Sequence, residues 1–139
     1  MTGQALHGSC LCGGVRYQVD QLDMPIQHCH CHTCRKAHAA AFASTAGVLR
    51  QHFRWLQGQE LLNRYESSPG KLRYFCRVCG SQLLAERPAQ PHVILRVATL
   101  DEAPSLRPSA HIWCSHHVAW LAYADVPIYP EWQPSSSAK

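Results

Sequence analysis

The sequence predicts a mainly β domain built from short antiparallel strands and one short helix. Short runs in which apolar and polar residues alternate favour half-buried strands. Turn signals separate these runs at intervals of about eight to twelve residues, which is typical of small β folds. The length of 139 residues is that of one domain. We therefore expect a single domain over residues 1–133, followed by a flexible Ser-rich tail over residues 134–139.

The predicted strands follow one another along the chain, with the helix near the beginning. Residues 15–19 show the clearest alternation, and a run of helix formers predicts the helix over residues 33–39. A turn signal at residues 67–70 precedes the strand at 72–75, which runs directly into a close pair of cysteines. The other strands are predicted at residues 42–48, 52–56, 61–66, 81–86, 92–97 and 111–113.

Composition and charge exclude several classes of protein. Hydrophobic residues make up 46% of the chain and charged residues 16%, which argues against intrinsic disorder. No apolar run approaches the roughly 20 residues that span a bilayer, so we expect no membrane segment. The amino terminus lacks the features of a secretion signal, and a cytoplasmic location is expected. The Lys and Arg residues are scattered rather than clustered, which argues against a nucleic-acid partner.

Eight cysteines and ten histidines are the unusual feature of the composition. Seven of the cysteines fall in three close groups, and Cys114 stands alone. Cysteines one or two residues apart favour a tetrahedral zinc ion, because a tight turn directs both thiolates at one point. A disulfide framework is the alternative, and it is less suited to a chain without a secretion signal.

Two of the groups predict a closed structural site. Cys10 and Cys12 form one pair, and Cys76 and Cys79 form the other, with glycine directly after each pair. Gly80 is expected to adopt a positive φ that turns backbone amides towards sulfur. Two pairs far apart in the sequence supply four thiolates, which would clamp distant segments around one zinc ion.

The third group predicts a different kind of site. Cys29, Cys31 and Cys34 supply three thiolates within six residues and have no obvious second half. Three protein ligands with an open fourth position are typical of catalytic zinc, and a sulfur-rich site favours a soft fourth ligand such as a substrate thiolate. Two alternatives remain: the third thiol is a bystander, or another residue closes the site. The candidates to close it are His28, His30, His32 and Cys114.

Other side chains that stand out in the sequence are assigned structural roles. His30 and His32 are expected to be exposed or to support the metal ligands from outside. Cys114 is expected to be a small buried residue rather than a nucleophile. The tryptophans are expected in the core or in a pocket wall; they are Trp55, Trp113, Trp120 and Trp132.

Together these residues make the chain resemble the glutathione-dependent formaldehyde-activating enzyme family. The matching stretches are GSCLCGGVRY at residues 8–17, CHCHTCRK at residues 29–36 and FCRVCGS at residues 75–81, with shorter matches at residues 111–113 and 130–132. The match spans nearly the whole domain, and the order and spacing of the cysteine groups make it specific. The resemblance implies a β-tent-like zinc fold.

The resemblance also implies a cofactor, an activity and a site. It implies two zinc ions per chain: a structural ion held by Cys10, Cys12, Cys76 and Cys79, and a reactive ion held by Cys29, Cys31 and Cys34. The family reaction joins formaldehyde to glutathione, and its reverse is that of a carbon–sulfur lyase. A small thiol such as glutathione is then the expected partner. Its carboxylates would need cations, for which Arg35, Lys36 and Arg73 are the candidates.

The chain departs from the family pattern in two places. Cys114 follows His111-Ile112-Trp113 where relatives commonly carry Ser or another residue without sulfur, and residues 37–41 look looser than the usual small-residue run. Fold and zinc transfer across a family more safely than a substrate does. A related enzyme for another small thiol, or a zinc-stabilised interaction module without catalysis, is therefore the alternative function. The sequence gives no indication of the oligomeric state.

Overall fold

The structure is a computed structural model that describes residues 4–121 and 126–133. Within these residues the fold is mainly β, as the sequence predicts, and it contains ten strands and one α-helix. The helix α1 spans His32–His38. The strands are β1 (Leu6–Ser9), β2 (Arg16–Val19), β3 (Gln27–Cys29), β4 (Ala43–Leu49), β5 (Phe53–Gln57), β6 (Leu62–Ser68), β7 (Lys71–Cys76), β8 (Gln82–Glu86), β9 (His92–Arg96) and β10 (Ala110–Ile112).

The strands form two sheets. A three-stranded sheet has the order β1-β2-β5, and a seven-stranded sheet has the order β10-β3-β4-β9-β8-β7-β6. Neighbouring strands are antiparallel except β10 and β3, which pair in parallel at the edge of the large sheet. This parallel pair departs from the predicted all-antiparallel arrangement, because β10 returns to β3 from about 80 residues further along the chain.

The main core lies between the two sheets. Val15, Tyr17 and Val19 are fully buried and pack against apolar residues of the large sheet such as Val48 and Leu95. Burying side chains of this size supplies about 1.5–3 kcal/mol each. The Tyr17 ring stacks on Phe53 and meets Trp55 edge to face, and its hydroxyl lies 2.6 Å from Thr99 Oγ1.

The opposite face of the large sheet carries the polar residues that matter for the site. Strand pairing places Cys29 opposite Ala43 and Thr45 opposite Arg96. Arg73 of β7 lies on the same face and reaches Cys34 of α1. Helix α1 therefore covers the part of this face that carries the two arginines.

Two short strands were absent from the sequence prediction, and the positions expected for three residues were wrong. Strands β1 and β3 have only four and three residues, too few for a clear alternation. Cys114 is exposed rather than buried, because it begins a 3₁₀ turn beyond the edge strand β10. Trp120 and Trp132 are 71% and 60% exposed, and the stretches that carry them form no strand or helix. The predicted tail at 134–139 lies outside the described residues.

The helices of the described residues are short. The longest, α1, has seven residues, and none of these helices has the length and apolar character needed to cross a bilayer.

Candidate functional site

The first candidate site contains four thiols contributed by two loops. The Sγ atoms of Cys10, Cys12, Cys76 and Cys79 all lie within 4.8 Å of one another. Cys10 and Cys12 are 3.5 Å apart at sulfur, and Cys12 and Cys76 are 3.8 Å apart. A tetrahedral zinc ion with Zn–S bonds of about 2.3 Å requires sulfurs about 3.8 Å apart. This four-thiol cluster therefore has the donor set and the spacing that a zinc ion needs.

Local backbone structure fixes the position of these thiols. Cys10 follows β1, whereas Cys76 ends β7 and is fully buried. Gly80 directly after Cys79 has a φ of +81°, which confirms the positive φ expected there. The cluster thus connects the end of a strand in the small sheet to the end of a strand in the large sheet.

Hydrogen bonds also favour the ionised form of two of these thiols, Cys10 and Cys79. The Val15 amide donates to Cys10 Sγ at 3.3 Å, and Ser81 Oγ lies 3.3 Å from Cys79 Sγ. The Ser81 contact is the main reason why the pKa of Cys79 falls to about 5, although burial opposes the shift. A thiol with a lowered pKa is a thiolate at neutral pH, which is the form that binds metal.

The second candidate site contains three thiols on one short segment. Cys29 ends β3, Cys31 is the N-cap residue of α1, and Cys34 lies in its first turn. Their Sγ atoms lie within 4.8 Å of one another, and Cys31 Sγ accepts a hydrogen bond from the Cys34 amide at 3.3 Å. The turn from strand into helix therefore brings three sulfurs to one point.

Within residues 4–121 and 126–133, no fourth metal-binding side chain joins this three-thiol cluster. His28 Nδ1 lies 2.9 Å from Ser44 Oγ, and the His30 ring contacts His111 instead, with Nε2 2.8 Å from His111 Nδ1. His32 and Cys114 are exposed and outside the cluster. None of the four residues considered for closing the site does so in this structure.

His30 is buried rather than exposed, which leaves the other role expected of it, support of the metal ligands from outside. It is 2% exposed and packs with His28, His111 and Phe42 in one group of rings. Burial, and then the neighbouring His111, lowers the pKa of His30 and favours its neutral form. This group of rings supports the segment that carries the cysteines.

Two buried arginines lie beneath the three-thiol cluster. Arg73 and Arg96 are 3% and 4% exposed. Arg73 donates through Nη2 to Cys34 Sγ at 3.9 Å and through Nε to Ser67 Oγ at 2.8 Å. Among the ion pairs of the described residues, none joins either arginine to a carboxylate. The thiols, when ionised, are therefore the negative groups that balance the charge of these two buried arginines.

The thiols and the arginines shift one another's pKa values, as Cys34 and Arg96 show. A hydrogen bond from Cys29 is the largest cause that lowers the pKa of Cys34 to about 4, and Cys31, Arg96 and Arg73 add to it while burial opposes it. Burial lowers the pKa of Arg96 to about 10, Arg73 adds to the shift, and the three thiols oppose it. Cys34 is accordingly held as a thiolate beneath the helix.

A pocket of about 420 Å³ opens onto the three thiols. Trp113 forms part of its wall and has a φ of +59°, a strained value for a bulky side chain. This wall position agrees with one of the two roles expected for the tryptophans. Other side chains that line the pocket include Gln27, Thr45, Lys71, His92, Ile94 and Arg96.

The three predicted substrate cations occupy different places. Arg73 contacts Cys34 beneath the helix, whereas Lys36 is exposed on its outer side. Arg35 is half-buried, with Nη2 3.4 Å from His32 Nδ1. Neither Arg35 nor Lys36 is among the described residues that line the pocket.

Sequence reasoning missed Lys71 and Arg96. Arg96 follows the apolar run of β9, and Lys71 begins β7. A charged residue at the end of an apolar strand was the available signal, but the strand order that brings both residues to the thiols is not visible locally.

Comparisons with known proteins agree on one family. Residues 5–116 match the family model described as "Glutathione-dependent formaldehyde-activating enzyme". A curated protein of Halomonas elongata, whose name assigns it to the same kind of enzyme, is 29% identical over 130 residues, covering 84% of this chain and 79% of its own. A crystal structure of a Rhodobacter sphaeroides protein matches with a TM-score of 0.63 and 26% identity, over 76% of this chain and 98% of that one.

Proposed function

The chain belongs to the glutathione-dependent formaldehyde-activating enzyme family, and from this membership we propose that it forms and cleaves the carbon–sulfur bond between a small thiol and formaldehyde. The thiol is glutathione or a molecule like it, and the adduct is its S-hydroxymethyl derivative. Cleavage of that adduct is a carbon–sulfur lyase reaction. The protein acts in the cytoplasm, where reducing conditions keep clustered cysteines free.

The observation that carries this proposal is the pocket above the three-thiol cluster. Three sulfur donors leave one position of a tetrahedral site for a ligand from outside. The pocket leads to those sulfurs, so a substrate thiol can approach. A soft, sulfur-rich site suits a fourth sulfur ligand better than an oxygen ligand.

The donor sets of both clusters fit zinc. We assign a structural ion to the four-thiol cluster, whose shell is complete, and a reactive ion to Cys29, Cys31 and Cys34. When bound there, zinc supplies a Lewis acid that lowers the pKa of a substrate thiol and makes it nucleophilic at neutral pH.

The chain's own residues prepare the site for this chemistry. Cys34 is held as a thiolate by its neighbouring thiols and by the arginines beneath it. Trp113 and the face of β9 enclose the pocket and restrict the directions from which the thiol can enter. In the bond-forming direction the sulfur lone pair attacks the aldehyde carbon, the C=O π electrons move to oxygen, and that oxygen takes up a proton. Cleavage is the reverse.

Exchange of ¹³C-formaldehyde with glutathione, followed by NMR, tests the proposal against the spontaneous rate. We expect the protein to accelerate exchange and Cys31→Ser to abolish the acceleration, because two thiols no longer hold the reactive ion. Cys114→Ser is the matched control, since Cys114 is exposed and lies outside both clusters. Native mass spectrometry should find two zinc ions per chain, with one released more readily to a mild chelator. Equal acceleration by Cys31→Ser and the unaltered protein would contradict the proposal.

A further inference from the structure

The pocket that leads to the three-thiol cluster carries more positive charge than the cluster needs. Three thiolates carry three negative charges, and a zinc ion would offset two of them. Arg73 and Arg96 lie directly beneath the cluster, and Lys71 lines the same pocket. Two positive charges are therefore uncompensated before a substrate binds, and a substrate thiolate neutralises one of them.

No acidic side chain of the described residues lines this pocket. Elsewhere in the described residues, arginines on the surface do find carboxylates: Arg50 pairs with Glu86 at 2.6 Å and Arg54 with Asp20 at 3.0 Å. Arg96, by contrast, is buried with Nε and Nη2 unpartnered among the described residues. Buried charges without a partner are costly, so a pocket of this kind favours an anionic ligand.

The sheet sets the direction in which such a ligand extends. Arg96, Ile94 and His92 alternate along one face of β9, with Arg96 nearest the thiols. Arg73 of β7 pairs with Ala85 of β8, and Ala85 in turn pairs with Ile94 of β9. In the same register, Lys71 of β7 lies level with His92 of β9, two strands away. His92 and Arg96 are four residue steps apart along the strand, which is about 13 Å. The pocket therefore extends from the sulfurs past Arg96 towards Lys71.

We propose that Lys71 and Arg96 form a carboxylate-binding subsite, so that the pocket selects thiols that also carry a carboxylate. This inference rests on the proposed function, because it takes the substrate sulfur to lie at the three-thiol cluster. The carboxylate meets Lys71 and Arg96 along β9, where it neutralises the remaining charge. Neutral thiols leave that charge unpaired, and cationic thiols add to it.

The pKa of Lys71 agrees with this arrangement. Burial, and then the charges of Arg73 and Arg96, lowers the pKa of Lys71, and Cys34 only partly offsets them. A carboxylate between Lys71 and Arg96 reverses the repulsion between the cations. Charge-assisted hydrogen bonds to such a carboxylate are about twice as strong as neutral ones.

Binding of three small thiols to the zinc-loaded protein, measured by titration calorimetry, tests the subsite. The probes are 3-mercaptopropionate, 2-mercaptoethanol and cysteamine, which are anionic, neutral and cationic at the end away from sulfur. We expect 3-mercaptopropionate to bind at least about tenfold more tightly than the other two. Lys71→Met should remove most of this preference, because it weakens the binding of 3-mercaptopropionate much more than that of 2-mercaptoethanol.

Arg107→Met is the charge-matched control, since Arg107 is exposed and is not among the described residues lining the pocket. It should keep the full preference. Arg96→Gln, checked for a full zinc content, should lose the preference as Lys71→Met does. Equal affinities of the unaltered protein for the three thiols, or a preference that survives Lys71→Met, would overturn the subsite.

Propionate separates failure of the subsite from failure of the proposed function. It has the carboxylate of 3-mercaptopropionate but no sulfur, so the part of its binding that depends on Lys71 reports on the subsite without the substrate sulfur. Weak propionate binding that Lys71→Met abolishes supports the subsite, even if sulfur adds no affinity and the proposed function fails. Thiol binding that depends on Cys31 but shows no preference for acids supports the proposed function and overturns the subsite.

Discussion

The guanidinium group of Arg73 donates a hydrogen bond to the thiol of Cys34 in the interior of the protein, with Nη2 and Sγ 3.9 Å apart. The two residues come from different layers, since Arg73 belongs to the large sheet and Cys34 to the helix that covers it. The contact links the charge of a buried cation to the charge of a thiolate. Each group therefore makes burial of the other less costly.

Arg73→Met should weaken zinc binding at the three-thiol cluster about tenfold, because residues that contact metal ligands typically tune affinity by that amount. Competition with a chromogenic chelator measures the effect on the more readily released zinc ion. Arg73→Lys retains the charge and should show a smaller loss. An unchanged zinc affinity in Arg73→Met would mean that the contact is only structural.

The sequence predicted most of the fold because most strands are half-buried and alternate clearly. Strand β1 was not predicted because it has only four residues and contains a glycine, Gly8. The glycine is needed there because a Cβ atom would collide with the Tyr17 ring. Strand β3 lies inside the His- and Cys-rich segment, whose composition reflects the site rather than the sheet.

The grouping of thiols was also predictable, because a tight turn fixes two or three sulfurs locally. Lys71 and Arg96 were not, because they meet through the order of strands β7, β8 and β9. The burial of Cys114 was predicted wrongly for a related reason: it depends on what covers the edge strand β10 rather than on the cysteine itself.

The two clusters should contribute differently to stability. Cys76 is fully buried and its cluster connects the two sheets, whereas the three-thiol cluster lies within one segment. Cys76→Ser should lower the free energy of unfolding by several kcal/mol, in keeping with the roughly 10 kcal/mol or more that structural zinc supplies to small domains. Cys31→Ser should lower it by much less. Urea unfolding of both variants measures this, and equal losses would argue against distinct structural and reactive roles.

Gly58 should be intolerant of a side chain. Its φ is +82°, and a Cβ would collide with the carbonyl oxygen of Gly14. Gly70 is the matched control, since it has a φ of +80° but only open space around its Cβ position apart from Arg87 Nη1 at 3.9 Å. Gly70→Ala should lower the free energy of unfolding by about 1 kcal/mol through backbone strain alone. Gly58→Ala should lower it by about 3 kcal/mol, because the collision adds to the backbone strain. Thermal unfolding of the two variants tests the difference, which vanishes if only φ matters.

The carboxylate of Asp23 should contribute stability that is lost in acid. Its Oδ2 accepts the Leu49 amide at 2.7 Å, and both of its oxygens lie 3.0 Å from His52 Nδ1. Burial raises the pKa of Asp23, but these hydrogen bonds outweigh burial, so the pKa in the folded protein lies below the ordinary value of 3.8. Because the folded pKa is the lower one, the contribution is complete above pH 3.8 and disappears as the pH falls through the folded value.

Asp23→Asn should therefore lower the free energy of unfolding at pH 6 by about 1.5–3 kcal/mol, the usual contribution of a hydrogen bond to a charged group. At pH 3 the difference between the two proteins should be smaller, because Asp23 is then protonated in most unfolded molecules and the advantage of its lower folded pKa is partly lost. Urea titrations at the two pH values give the difference, from which any shared loss of metal in acid cancels. Asp20→Asn is the control: Asp20 forms an exposed pair with Arg54, and such pairs contribute little. A loss from Asp23→Asn that is the same at both pH values would show that shape, rather than charge, makes Asp23 stabilising.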